Sequence, residues 1–443
     1  MSSKARLTLL PLSCVMYLIV SGGPYGIEDA VGTAGPRLAL ILCLLVPFTL
    51  SLPTALMAAE LTAVLPLEGG FYFWVKEALG PFAGFAEAYL TTIYTAVDAA
   101  IYPVLFVTYI SSVFPISAIA QAALAIALVW SCGLLNAMGV RPVGYTAMLW
   151  VAGVAAPFMV LIALGLPSLW HWHLPSEIPT GDSLITRLAM ALTVVIWNFC
   201  GWENLSVVAA EIENPQRNYL RAIAVALPAV VLGYILPVLV CVLNTKGGSA
   251  WHTGSFADLG VQIGGHWLGD AIALGGSLSS FAIFEAAMLW VSRLPFVLAS
   301  ENYLPPSMAE TSVRRDIPGR SLLACCIVFT FLIPLGFMTL VMFDVFFYMA
   351  GLTLEMAALI RLRRLYPRRN GLFVIGGGRV TVYLVAFAPL LTWLGTAGLA
   401  GQQGAHHLII ASLLLVLSWP LYRILRRRYG GPTPVTVPHP SSA

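Results

Sequence analysis

Long apolar runs alternate with short polar links along the whole chain, and that pattern leaves few folds open. A run of about 20 apolar residues matches the hydrocarbon thickness of a bilayer. Such runs are predicted over residues 7–34, 38–64, 81–110, 117–138, 142–166, 186–210, 219–243, 269–299, 319–338, 340–360, 380–399 and 407–425. Lipid offers no water to backbone N–H and C=O groups, so each run is expected to be an α-helix. The expected fold class is an all-α, polytopic membrane protein with 12 transmembrane helices. Composition agrees: 59% of the residues are hydrophobic, 10% are charged and the mean hydropathy is +0.87, whereas a soluble domain carries about 25% charged residues.

A net charge of +3 is too small to suggest a nucleic-acid partner, and the placement of the charges says more. Basic loops stay on the cytoplasmic side. With the N-terminus inside, only Arg37, Arg187 and Lys246 of the 23 Lys and Arg residues fall outside. Both termini are therefore expected in the cytoplasm, and the protein in the plasma (cytoplasmic) membrane. Lys4 and Arg6 ahead of apolar residues resemble a signal peptide, but no small-x-small cleavage site follows, so the first run is read as retained. The seven cysteines sit mostly inside apolar runs, where a thiol behaves as a small hydrophobe, and imply neither a disulfide framework nor a metal cluster. The proline-rich tail, 429–443, is read as disordered.

Two of the runs are interrupted. The first reads Ser21-Gly-Gly-Pro-Tyr-Gly-Ile-Glu-Asp-Ala30, and the sixth Trp197-Asn-Phe-Cys-Gly-Trp-Glu-Asn204. Unwinding at that depth exposes backbone groups at several kcal/mol each unless protein or a wet cavity meets them. Interruptions at corresponding positions of two five-helix halves point to an inverted-repeat transporter whose substrate site lies between the broken helices. Residues 7–166 then form the first repeat, 186–360 the second, inverted one, and 380–425 two appended helices. Ser21, Gly22, Gly23, Tyr25 and Gly26 become candidates for the site. For either break taken alone, a kinked structural helix is the competing reading.

Carboxylates in mid-span sharpen the case. Asp98, Glu203 and Glu285 each cost about 2.5–3.5 kcal/mol at the bilayer centre on insertion scales. The runs offer almost no base to pair with them: Arg293 follows Glu285 by one or two turns, and Arg187 lies at the outer end of the sixth run. A cationic substrate, or protons, would supply the missing positive charge. Tyr94, Asp98 and Tyr102 are spaced i, i+4, i+8, so two phenol rings flank a carboxylate on one helix face. An ammonium there is held by charge and by cation–π contact with Tyr or with Trp202, although the same spacing serves an aromatic packing stripe. Asn198 and Glu28 complete the candidate set, with Glu28-Asp29 also readable as the polar start of an outer half-helix. Glu60 and Asp344 read as interfacial, Glu355 is deeper but ambiguous, and His171-Trp-His173 and His406-His407 read as solvated rather than as metal ligands.

The run from Ser21 to Gly32, the segment Glu68-Gly-Gly-Phe-Tyr-Phe-Trp-Val, the span Val97-Asp-Ala-Ala-Ile-Tyr-Pro-Val-Leu-Phe and the stretch from Trp202-Glu to Glu211-Ile-Glu-Asn-Pro resemble the amino acid, polyamine and organocation transporter superfamily. More narrowly they resemble its polyamine uptake branch, the polyamine:proton symporters. The resemblance covers the first eight runs well and is weak beyond the tenth. It implies a LeuT-type fold of five plus five inverted helices with two appended, and alternating access. It also implies that Glu28, Asp98, Glu203 and Glu285 are acidic binding residues and that Trp202 is an aromatic gate.

Departures from the amino-acid branches point the same way. Those members bind a substrate carboxylate on backbone N–H groups at a Gly-Ser-Gly-like break, whereas here Pro24 removes a donor and Glu28 would repel the carboxylate. Residues 142–166 contain no Lys or Arg, so any proton coupling is expected to run through a carboxylate, Glu285 first and Glu203 second. Sodium stands as an alternative, with carbonyls at 21–26 and the hydroxyls of Ser279 and Ser280 as ligands. No cofactor is expected. The expected function is secondary transport of a small organic cation, a polyamine or a cationic amino acid. A neutral amino-acid permease or an exchanger is the alternative, and a channel or an intramembrane enzyme a distant one; no His-Glu-x-x-His, Gly-x-Gly-Asp or Gly-x-Ser-Gly motif is present.

Overall fold

The computed structural model describes residues 8–65, 70–138, 144–171, 183–204, 206, 212–244, 251–311, 317–366, 373–400 and 405–431. Lys4, Arg6, Glu68, Arg141, His173, Glu211, Lys246 and the tail beyond 431 lie outside them. The described residues form helices and no strand: α1 Leu9–Val20, α2 Glu28–Ala34, α3 Pro36–Val46, α4 Leu52–Val64, α5 Gly70–Leu79, α6 Pro81–Val113, α7 Ala118–Ala137, α8 Gly144–Gly165, α9 Leu184–Phe199, α10 Pro215–Asn244, α11 Ser255–Gly264, α12 His266–Val291, α13 Arg293–Ser300, α14 Gly319–Leu332, α15 Phe337–Leu365, α16 Gly378–Ala400 and α17 Ala405–Tyr429.

Among these residues nine helical segments are long and apolar enough to cross a membrane, and three shorter apolar helices cover 9–20, 184–199 and 319–335. The chain is thus a polytopic, all-helical membrane protein. Two of the short helices end at the interruptions, α1 before Ser21 and α9 at Phe199 rather than near 210. Large apolar side chains such as Ile119 (84% exposed) and Phe331 (78%) stand on the outside of the bundle, as lipid requires. The short helices α5 and α11, which no apolar run announces, link longer ones.

Local chemistry sets the ends. Ser183 and Ser117 cap α9 and α7 by accepting the N–H groups of Thr186 and Ala120. Pro36 and Pro81 sit at the first turns of α3 and α6, where no intrahelical N–H is missed. Between α3 and α4, Pro47–Ser51 forms one π turn, and it delivers the buried Ser51 hydroxyl to the Phe199 carbonyl at 2.9 Å, at the end of α9. A π turn placing a side chain at a functional position is a common use of that distortion.

Charges cluster at one end of the bundle. Arg363 of α15 makes a two-pronged ion pair with Glu60 of α4, a carboxylate that also accepts the Ile375 N–H at 2.8 Å. Glu60 is therefore a buried tie between helices. Lys76 of α5 meets Glu301 at 2.6 Å, and Tyr72 donates to the same carboxylate at 3.0 Å. At the other end, the Arg187 guanidinium donates to the carbonyls of Thr33 (3.2 Å) and Ala34 (2.7 Å), which close α2.

Candidate functional site

The first break keeps its backbone paired without a helix. Ser21 N–H reaches Tyr17 C=O, Gly23 N–H donates to Ser21 Oγ at 3.3 Å, and the Gly22 carbonyl accepts the Ser279 hydroxyl. Gly26 has φ +86°, and a Cβ there would lie 2.7 Å from the Trp197 ring, so conformation and space both require glycine. Its N–H donates to Glu28 Oε2 at 2.7 Å, while Tyr109 (3.0 Å) and the Gly254 N–H (3.3 Å) donate to Glu28 Oε1. The Thr253 hydroxyl donates to Asp29. Both acids open α2, where the helix dipole favours negative charge.

The second break turns at Gly201, with φ +88°. Gly201 N–H donates to the Tyr348 hydroxyl at 3.2 Å, and that hydroxyl donates to Glu203 Oε2 at 3.1 Å. The indole of Trp202 folds back to the Phe199 carbonyl (2.9 Å), and Tyr219 of α10 holds the Trp202 carbonyl (2.8 Å). Four polar contacts thus fix the turn.

Between the breaks lies a cavity with about 510 Å³ of space free of protein atoms, part of it open to solvent. Residues 18–21 form one wall, and Trp197, Asn198, Cys200, Gly201 and Asn204 the opposite one. From α6 come Tyr94, Asp98 and Tyr102, from α15 Asp344 and Tyr348, and from α10 and α12 Tyr234 and Trp290. Trp197 Nε1–H donates to Asp98 Oδ1 at 3.0 Å, and Tyr102 lies 3.3 Å from Oδ2. Asp344 is 2% exposed, and its Oδ1 has no hydrogen-bonding partner among the described residues. Among the described residues no Lys, Arg or His lines the cavity. Two carboxylates, aromatic rings and no base form an environment for a cation.

Of the residues singled out from the sequence, Ser21, Tyr94, Asp98, Tyr102 and Asn198 line this cavity. Gly22, Gly23, Tyr25, Gly26 and Glu28 build the break behind it, with the Tyr25 hydroxyl on the Ile272 carbonyl at 2.8 Å. Glu203 touches the cavity through Tyr348, and Trp202 is buried outside its lining. Glu285 lies apart, beside Cys132 and Asn136 of α7, with its Oε1 unpartnered among the described residues. Among the lining residues that the sequence did not single out, three bear on the acids. Trp197, rather than Trp202, carries the indole at Asp98, while Asp344 and Tyr348 repeat on α15 the acid–tyrosine spacing of i, i+4 that marked Asp98 and Tyr102.

The model describing amino acid permeases matches residues 8–418. The chain belongs to the amino acid permease family. This permease is a transporter and not an enzyme. It is 34% identical over 392 residues to the polyamine transporter RMV1 of Arabidopsis thaliana, covering 87% of this chain and 78% of that one. Against the polyamine transporter PUT1 of Oryza sativa subsp. japonica it is 34% identical over 370 residues, with 82% and 68% covered. The human cystine/glutamate transporter is more distant, at 26% over 333 residues, with 71% and 65% covered.

Proposed function

We propose that this permease carries a small organic cation, a polyamine or a cationic amino acid, inward across the cytoplasmic membrane by alternating access and proton symport. The observation that carries the reading is the placement of Asp98 and Asp344 on one cavity whose lining, among the described residues, holds no base. The names of the two polyamine transporters agree with it. Nine long and three short apolar helices make the twelve crossings of this reading, in two inverted sets of five plus two, with both termini inside. Glu203 is favoured over Glu285 as the coupling carboxylate, because its hydrogen bond with Tyr348 connects it to the cavity.

The test is a thermal-shift series on the purified protein with putrescine, spermidine, agmatine and arginine against leucine and alanine, followed by uptake into vesicles under an imposed pH or sodium gradient. Amines stabilise the protein most under this reading, and an inside-alkaline gradient drives their accumulation. Leucine or alanine ranking above every amine refutes the cation. Sodium dependence without a pH response replaces the proton, with Ser279 and the carbonyls of the first break as candidate ligands.

A further inference from the structure

The pattern that defines the cavity wall is repeated below it. On α6, Asp98 is followed toward the N-terminus by Tyr94, Thr91 and Glu87; on α15, Asp344 is followed toward the C-terminus by Tyr348, Gly351 and Glu355. Both series step by four, three and four residues, and they face each other on antiparallel helices. The Tyr94 and Tyr348 rings meet edge to face at 5.5 Å, and a Cβ on Gly351 would lie 3.2 Å from Glu87 Oε1. Eleven residues of helix put Glu87 and Glu355 about 16 Å from the upper acids.

This lower level is dry. Glu87 and Glu203 are 0% exposed and Glu355 2%. Thr91 donates to Glu87 Oε1 at 3.1 Å and Tyr348 to Glu203, but Glu87 Oε2, Glu203 Oε1 and Glu355 Oε2 have no hydrogen-bonding partner among the described residues. The three carboxyls lie within electrostatic range of one another.

Among the described residues no base answers them. Of the cations on packed neighbours, Lys76 of α5 is held by Glu301 and Arg363 by Glu60. On α10, Arg217 and Arg221 point to the exterior, as do Arg379 of α16 and the arginines of α17. Arg187 of α9 is engaged at the opposite end of the bundle, and Glu285 of α12 faces α7. The other titratable neighbours are the acids Asp98 and Asp344, the thiol of Cys200 and the phenols Tyr94, Tyr348 and Tyr219. Three carboxyls packed together away from water and bases do not all ionise.

We propose that Glu87 and Glu355, together with Glu203, form a proton-holding lock beneath the substrate cavity. Protonated, the three acids let the inner ends of α6, α9 and α15 pack against one another. When those ends part and water enters, the acids ionise and release their protons to the cytoplasm. Reloading runs from the cavity through the Tyr348 hydroxyl, which passes its proton to Glu203 and takes one from a hydronium ion in the cavity, leaving water, and Glu203 hands protons on to Glu87 and Glu355. The separation of about 16 Å lets an ammonium sit at Asp98 and Asp344 while the lock is still protonated. The direction of release rests on the inward symport proposed above.

The test uses the full-length protein with Glu87→Gln, Glu355→Gln and the double variant. Infrared absorption of protonated carboxyl groups, measured at neutral pH without substrate, is present in wild type, reduced in each single variant and reduced further in the double variant, where Glu203 still contributes. In vesicles, putrescine counterflow at equal pH stays within about twofold of wild type. Accumulation driven by an inside-alkaline gradient falls about tenfold, because a coupling ion that no longer distinguishes the two states shifts nothing. An infrared band unchanged in the variants overturns the lock. Counterflow lost together with accumulation, in protein that still elutes as wild type, also overturns it, since the amine itself would then cross the cluster. A wild type with counterflow but no gradient response refutes the symport reading alone, and the infrared band then still decides whether the cluster holds protons.

Discussion

Asp98→Asn is the most direct probe of the cavity. Asparagine keeps the shape, and its carbonyl oxygen still accepts the Trp197 N–H now at 3.0 Å from Asp98 Oδ1, so the change removes charge and little else. At about 4 Å and an effective dielectric constant near 20, the carboxylate attracts an ammonium by about 4 kcal/mol. Desolvation of both groups offsets part of this, and a hydrogen bond to a charged group nets about 1.5–3 kcal/mol. Affinity for putrescine or spermidine should therefore fall about 10- to 150-fold. Free-protein stability should hold or rise, because one of two neighbouring uncompensated acids has gone. Titration calorimetry on the purified variant reads the first quantity and its melting curve the second. Combined with Asp344→Asn, the losses multiply if each acid holds its own ammonium, and the second loss shrinks if both share one. Binding of the best amine within about twofold of wild type in Asp98→Asn would remove the carboxylate from recognition and refute the reasoning.

Trp197→Phe keeps a ring over the cavity but deletes the donor to Asp98; an affinity loss of about three- to tenfold is expected by titration, smaller than for Trp197→Ala, which also loses the cation–π face. Glu60→Gln breaks a buried ion pair and should destabilise the protein by about 3–5 kcal/mol in a denaturation series while leaving amine affinity unchanged; an unaltered melting curve contradicts that role. Gly26→Ala forces a side chain into a left-handed conformation against the Trp197 ring, and a cost of about 1–3 kcal/mol in stability is expected. Glu28→Gln turns an amide nitrogen toward a fixed donor, so its effect, about 1–3 kcal/mol, should appear in stability and not in cation binding. A large loss of affinity in that variant would place Glu28 in the recognition site.

Hydropathy made most of the crossing segments legible because a bilayer imposes length and composition on each helix separately. The breaks were legible for the same reason: Gly22, Gly23, Pro24 and Gly201 have no business in an uninterrupted apolar helix. Asp98 with its tyrosines could be read because helical spacing joins residues on one element. Asp344 could not, since its place depends on α15 packing antiparallel to α6, and no local spacing encodes that. Near the start of its run it has the position of an interfacial acid, as Glu60 has, and nothing local marks Glu87. The direction of the chain after Gly201, which turns the Trp202 indole to the Phe199 carbonyl and leaves that of Trp197 facing Asp98, is not encoded in local spacing either. The helices α5 and α11 were missed because at 10 residues each they are too short for a membrane-length window.

The clasp of Arg187 on the carbonyls of Thr33 and Ala34, together with the Trp197 ring lying on Gly26, fastens α2 to both ends of α9. Two fastenings, one at either end, leave the pair no freedom to pivot on itself, so it behaves as a single stiff lever. A stroke that swung α2 away from α9 would tear out two charged hydrogen bonds and bare a flat aromatic face. The cheaper stroke carries both as one body and slides them past α6 and α15. A covalent staple between α2 and α9 should therefore leave turnover intact, whereas a staple from α9 to α6 should arrest it.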